Sequence, residues 1–143
     1  MVSRERILET LERGWGNYLA TYDGLSQDGQ TAYLQRQGYR RFADVLVHVM
    51  AWWREGRMVV ASLLNDPSYL APKRDVDAFN AEAVDSYRGR DEAEVRREFE
   101  RERRQMVELV LALPLDALDS EKIMGQLNME VVGHLAEHSL AGY

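Results

Sequence analysis

The chain has 143 residues, 45% hydrophobic and 29% charged, a balance that predicts one globular domain over residues 1–143. It contains no cysteine, which excludes disulfides, thiolate catalysis and cysteine-ligated zinc, and its net charge of −6 argues against a nucleic-acid partner. The sequence has no apolar run of membrane-spanning length and no signal peptide. We therefore expect a cytoplasmic protein with no membrane partner.

Apolar residues recur at helical spacing through most of the chain, and no alternating strand pattern competes with them. The spacing predicts a first helix over about residues 3–21 and a second over about residues 42–64. Between them, residues 23–41 have the composition of a loop, which is long for a bundle connection and could cover the mouth of a pocket.

A shorter helix is predicted in the segment VDAFNAEAVDSYRGR, which ends at Gly89. Its inward-facing residues are expected to be Val76, Phe79, Ala83 and Tyr87. This helix would follow the connection NDPSYLAPKRD, whose prolines break the second helix.

Two further long helices complete the predicted fold. Asp91 and Glu94 have the spacing of a capping box, which predicts the start of a helix that ends before Pro114. Asn128 is a favourable N-cap residue, so the last helix is expected to begin near it. The sequence therefore predicts an all-α fold, an up-down four-helix bundle with one additional short helix.

The chain has three histidines: His48 in the second helix, and His134 and His138 in the last. At about 100° per residue, the last two lie about 40° apart on the inward-facing side of their helix. The same geometry places His48 on the inner edge of its helix, so all three imidazoles could reach one ion. Neutral imidazole suits zinc, nickel, copper or iron(II), and three protein ligands leave positions open for water or substrate. Hydrogen-bonded core histidines are the alternative that spacing leaves open.

Three residues near these histidines are candidates for supporting roles. Trp52, one turn after His48, could form a pocket wall, although core packing is the commoner role of such a residue. Asp44 and Glu130, each one turn before a histidine, could accept a hydrogen bond from the second ring nitrogen. Exposed helix carboxylates are commoner than supporting ones, so solvation is the alternative for both. The pattern singles out no general base, and the catalytic residues remain unassigned.

The segments RRFADVLVHVMAWWREGRMVV and DVDAFNAEAV, the arginine-rich third long helix and the terminal GHLAEH resemble the DinB/YfiT-like superfamily. Within it, the ClbS/DfsB-like branch is the most similar, and the resemblance covers residues 3–143. It implies a four-helix bundle that is often a homodimer. It also implies a divalent-metal site, whose ligand positions are matched here by His48, His134 and His138. We expect zinc or nickel, with iron or manganese as alternatives.

The resemblance also implies a range of activities. Some members of the superfamily are thiol-dependent transferases or isomerases that use bacillithiol, mycothiol or glutathione, others hydrolyse a reactive electrophile for self-protection, and many have no assigned activity. For this chain the resemblance implies action on a small electrophilic molecule by hydrolysis or by transfer of a low-molecular-weight thiol. The alternative for this chain is a non-catalytic bundle that binds a small molecule or serves in self-protection, as in the ClbS-like branch.

Overall fold

The computed structural model describes all 143 residues, and the chain is all-helical. None of the helices combines the length and the apolar composition needed to span a bilayer. A 3₁₀ turn, Leu115–Asp119, precedes the last helix. We number six helices in chain order, of which the first and last each contain a π-helical segment: α1 (Arg4–Glu9, π-helical Thr10–Trp15, Tyr18–Asp23), α2 (Gln27–Gln37), α3 (Phe42–Asn65), α4 (Val76–Ser86), α5 (Glu92–Leu111) and α6 (Glu121–Leu127, π-helical Asn128–Gly133, His134–Glu137).

Helix α3 is the centre of the fold. It packs against α4, α5 and α6, while α1 packs against α5 and α6. The ring of Trp53 on α3 lies 5.2 Å from Trp15 on α1 and 5.2 Å from Phe99 on α5, measured between centroids. All three aromatic side chains are fully buried. Their edge-to-face and stacked contacts join three helices in one apolar core.

The π-helical segment of α6 is fastened to the core by two tryptophans. The indole Nε1–H of Trp53 donates to the main-chain carbonyl of Glu130 at 2.9 Å, and that of Trp15 donates to the carbonyl of Val131 at 2.9 Å. A π turn bonds residue i to i+5 and so changes the usual helical hydrogen-bond pattern. The two buried indoles add donors to carbonyls of this segment and thereby fix the position of α6 on α1 and α3.

The prediction of a loop over residues 23–41 is wrong, because α2 occupies most of this segment. The side-chain oxygen of Ser26 accepts from the main-chain N–H of Gly29 and caps the start of the helix. The helix ends at Gly38, whose φ of 79° is readily adopted only by glycine. Only Tyr33 of α2 is buried, so the helix has no apolar stripe to reveal it.

The predicted start of the last helix is also wrong. Helix α6 begins at Glu121, where the hydroxyl of Ser120 accepts from the main-chain N–H of Ile123, and Asn128 lies inside the helix. The apolar residues Ile123 and Leu127 are buried, and their burial extends the helix towards its N-terminus.

Two smaller expectations are corrected as well. Asp91 occupies the N-cap of α5 but makes no side-chain capping bond, and Glu94 pairs with Arg90 instead of closing a capping box. In α4, Val76 does not face inward: it is 55% exposed, whereas Phe79 and the other two predicted inward residues are half-buried. The predicted ranges of α3 and α4 are confirmed to within a few residues.

Candidate metal centre

The three histidines come together in the interior between α3 and α6. Their ring centroids lie 5.4 Å apart for His48 and His134, 5.0 Å for His48 and His138, and 6.0 Å for His134 and His138. Imidazoles that share a tetrahedral ion through metal–nitrogen bonds of about 2.1 Å have centroids roughly 5 Å apart. The spacing of the rings is therefore close to that of ligands on one ion.

The nitrogen atoms of the three imidazoles are not arranged around a common point. In the structure as it stands, no group of three or more His, Cys, Asp or Glu side chains has the arrangement of a metal site. Binding an ion would therefore require the rings to turn about their side-chain torsions, while the helices that carry them already lie at suitable distances.

Hydrogen bonds determine which nitrogen of His48 and His134 carries the proton. His48 Nδ1 lies 2.8 Å from Oδ1 of Asn80, and this oxygen also accepts from the indole N–H of Trp52 at 2.6 Å. An indole N–H can only donate, which identifies the Asn80 atom as the amide oxygen and makes His48 Nδ1 a donor. His134 Nδ1 donates to the main-chain carbonyl of Glu130 at 2.9 Å. In both rings the lone pair is therefore on Nε2.

The same reasoning holds for His138. Its Nδ1 lies 2.7 Å from Oε1 of Gln37, while Nε2 of Gln37 donates to the main-chain carbonyl of Glu137 at 3.2 Å. The second bond fixes the orientation of the Gln37 amide, so His138 Nδ1 is the donor. His138 Nε2 is buried and has no hydrogen-bond partner. A buried acceptor without a partner is costly, and a bound cation would satisfy it.

Burial holds all three imidazoles in the neutral form that binds metals. Desolvation, followed by repulsion from a charged His134, lowers the pKa of His48 to about 4. Desolvation, followed by repulsion from the other two histidines, lowers the pKa of His138 to about 3. The pKa of His134 is also lowered, chiefly by burial. At neutral pH the site therefore presents three uncharged nitrogen donors, and the residues present fit a divalent cation.

Neither of the two carboxylates predicted to support the histidines makes a hydrogen bond to an imidazole. Asp44 accepts from the guanidinium of Arg41 at 3.1 Å, and the acceptor on His48 Nδ1 is the Asn80 amide instead. Glu130 supports its histidine through its main-chain carbonyl, whereas its carboxyl makes no hydrogen bond to that ring.

The Glu130 carboxyl is itself unusual. The residue is 1% exposed, and its Oε2 is buried without a hydrogen-bond partner. It packs against Gly56 of α3, where an added Cβ would lie 2.9 Å from the Glu130 Cγ. Desolvation, assisted by the charges of Glu55 and Glu137, raises the pKa of Glu130 to about 8. The carboxyl is therefore protonated at neutral pH.

Aromatic rings flank the histidines on the sides of α3 and α4. The centroid of Trp52 lies 6.4 Å from that of His134 and 4.2 Å from that of Phe79, and Tyr39 lies 5.8 Å from His48. Trp52 thus lies beside the histidines, as its spacing from His48 predicts. These rings surround the site with apolar material that would exclude water from a bound ion.

The amides Gln37 and Asn80 are functional candidates that sequence reasoning missed. Both lie on helices other than those that carry their histidine, so helical spacing could not connect them with it. The segment DAFNAEAV, which carries Asn80, is part of the family resemblance, but nothing in its pattern singles out the amide.

Comparisons of the chain with protein-family models, with curated proteins and with solved structures give no match. The resemblance to the DinB/YfiT-like superfamily and the functions that it implies therefore stay predictions. The case for a metal centre depends on the geometry of the histidines.

Proposed function

We propose that this protein binds one divalent cation through Nε2 of His48, His134 and His138. A single observation carries the proposal: three buried, neutral imidazoles lie within 6.0 Å of one another, and each gives its Nδ1 proton to an oxygen acceptor. This pattern leaves three Nε2 lone pairs, which is the donor set that zinc and nickel accept. Iron and manganese are the alternatives.

The proposed activity is that of a DinB/YfiT-like enzyme acting on a small electrophilic molecule, by hydrolysis or by transfer of a low-molecular-weight thiol. When bound to these three neutral ligands, a divalent cation would supply Lewis acidity to a molecule that binds beside it. The chain contributes the neutral donors and their orientation. Trp52 and Tyr39 would exclude water and offer aromatic surface to the substrate.

A second candidate is a non-catalytic protein that binds a small molecule or serves in self-protection. The observation that favours it is the closure of the site: the three histidines are 4–8% exposed, and α4 is held over His48 and Trp52 by Asn80. A screen for turnover of electrophiles with and without thiols separates the two candidates. Saturable binding of a small molecule without turnover would favour the second.

The remaining parts of the proposal concern assembly and location. We propose that α1, α3, α5 and α6 form an up-down four-helix bundle of the superfamily type, and that the protein is a cytoplasmic homodimer. The homodimer is proposed from the family resemblance, and exposed apolar side chains such as Leu111 (58%) and Leu115 (79%) are available for such a contact. Light scattering at several concentrations tests the oligomeric state.

The decisive experiment measures bound metal per chain. The protein is purified without a histidine tag, stripped with a chelator and incubated with zinc or nickel. Wild type should hold one ion per chain, and His48→Ala should lose it. Asp44→Asn is the matched control, because its carboxylate pairs with Arg41, and it should retain the ion. A wild-type protein that stays metal-free with both cations would refute the proposal.

Metal binding should also raise the melting temperature, because an ion bound by the folded state alone stabilises that state. At an ion concentration about 100 times Kd the gain is about 2.7 kcal/mol. The gain should shrink as the pH falls, since protons compete for the imidazoles. A melting temperature that is indifferent to both cations at neutral pH would contradict the site.

A further inference from the structure

We infer that α2 positions the third imidazole of the site, with Gln37 and Tyr33 acting as positioning residues for His138. His138 needs such support because it stands at the very end of α6. It is the C-cap residue, with φ −101° and ψ 22°, and the chain beyond it forms no further helix. The helix that carries His138 therefore does not continue past it to hold its main chain in place.

Helix α2 holds this end of α6 through three hydrogen bonds. The Tyr33 hydroxyl donates to the main-chain carbonyl of His138 at 2.7 Å, and the Gln37 amide donates to the carbonyl of Glu137 at 3.2 Å. The Gln37 oxygen accepts from His138 Nδ1 at 2.7 Å. The last carbonyls of a helix lack partners within it, so α2 supplies side-chain caps for two of them. The same helix sets the orientation of the ring.

The geometry of α2 suits this role. Tyr33 and Gln37 are four residues apart and lie on one face of the helix. Tyr33 is fully buried and is the only buried residue of α2. Because Tyr33 gives its own proton to the His138 carbonyl, its oxygen accepts from the hydroxyl of Tyr18 on α1. Tyr33 is thus the one fully buried anchor of a largely polar helix, and Tyr33 and Gln37 together direct three hydrogen bonds at the end of α6.

His138 is the one histidine whose ring depends on α2. His134 finds its acceptor one turn earlier in α6, and His48 finds its acceptor on α4. Without the Gln37 oxygen, nothing would hold the proton of His138 on Nδ1. A proton on Nε2 would remove the lone pair that the proposed site needs. The expected effect of Gln37 on metal affinity rests on the proposed function. Its expected effect on the tautomer of His138 does not require a metal.

The first test determines the tautomer of His138 in the metal-free protein by ¹⁵N NMR of the histidine side chains. Wild type should show His138 with its proton on Nδ1. Gln37→Met, which keeps the length but removes the acceptor, should shift the tautomer towards Nε2–H. Gln37→Glu keeps an oxygen acceptor and should restore the wild-type tautomer. Gln35→Met, at an exposed position of the same helix, is the control and should change nothing.

The second test titrates the metal-free proteins with Co²⁺ and follows its visible absorption. Gln37→Met should weaken binding by about 10- to 100-fold, as expected for loss of a residue that orients a ligand. Gln37→Glu should bind within a few-fold of wild type. Tyr33→Phe keeps the buried ring but releases the His138 carbonyl, and should weaken binding by about tenfold. Circular dichroism confirms that each variant is folded.

The outcomes separate the two proposals. An unchanged tautomer in Gln37→Met, or unchanged Co²⁺ affinity in both Gln37→Met and Tyr33→Phe, would overturn the positioning role. A wild type that binds no Co²⁺ while Gln37→Met changes the tautomer would support positioning and overturn the proposed metal site.

Discussion

Replacing Glu130 by Gln should raise the free energy of unfolding more at alkaline than at acid pH. The Glu130 carboxyl is buried, its Oε2 lacks a partner, and its pKa is raised to about 8 by desolvation and by the charges of Glu55 and Glu137. In the unfolded chain the carboxyl loses its proton near the ordinary value of 4.5. The folded state therefore keeps a proton that the unfolded state has given up.

The sign and size of the effect follow from these two pKa values. Between them the folded state binds more protons, so wild-type stability falls as the pH rises through this window and levels off above it. At about 1.36 kcal/mol per pH unit, the interval from about pH 6 to the folded-state pKa corresponds to roughly 2.5 kcal/mol. Glutamine does not titrate, so Glu130→Gln should escape this loss.

The assay is urea unfolding at pH 6 and at pH 9, with a chelator present to exclude metal. The stability of Glu130→Gln minus that of wild type should increase by roughly 2.5 kcal/mol between the two conditions. Taking this difference cancels any fixed cost of packing the amide. Glu108→Gln, at an exposed position of α5, should show no such increase. An equal stability difference at both pH values would refute the burial argument.

Three further predictions concern the helices around the histidines. Gly56→Ala should cost about 1–3 kcal/mol in thermal unfolding, because its Cβ would lie 2.9 Å from a buried side-chain carbon, whereas Gly125→Ala, in open space, should gain about 0.5–1 kcal/mol. Equal effects would contradict the close approach. Trp53→Phe should cost about 0.5–1.5 kcal/mol in urea unfolding, since the buried Glu130 carbonyl loses its indole donor and keeps only the one from His134 Nδ1. An unchanged midpoint would show that the indole bond adds nothing to stability. In the metal-free protein the folded-state pKa of His48 is about 4, so its contribution to the free energy of unfolding is present above pH 6.5 and is lost as the pH falls towards 4. His48→Gln should reduce the loss of stability between these two pH values by about 3 kcal/mol. An unaltered loss of stability would exclude the burial of a neutral imidazole.

The parts of the fold that sequence predicts are those with an apolar stripe. Helix α3 has such a stripe and was predicted almost to its ends. Helix α2 was missed because one buried residue, Tyr33, leaves no periodicity to detect. Its boundaries were nevertheless marked by Ser26 as N-cap and Gly38 as C-cap, which local capping rules can recognise. The start of α6 was misplaced because Asn128 looked like a cap, although Ser120 performs that function.

The candidate site, too, could be predicted from the sequence only in part. Helical spacing alone placed His48, His134 and His138 on inward-facing edges, and the structure brings their rings together. Their hydrogen-bond acceptors could not be predicted, because the amides of Gln37 and Asn80 come from helices whose packing is set by tertiary contacts. Nearby carboxylates in sequence were the natural candidates, yet main-chain carbonyls and amides satisfy the rings.

The π-helical segment of α6 has a consequence for how this chain can change in length. It holds one residue more than an α-helical turn would, directly between the buried face at Leu127 and the imidazole of His134. Deleting a single residue from Asn128–Gly133 would let this turn close as an ordinary α-helical turn, because the wide π turn already takes up one extra residue. The residues after it would keep their orientation, and both histidines of α6 would stay in the interior. The bulge is therefore a place where the chain can lose one residue without turning the imidazoles out of the site.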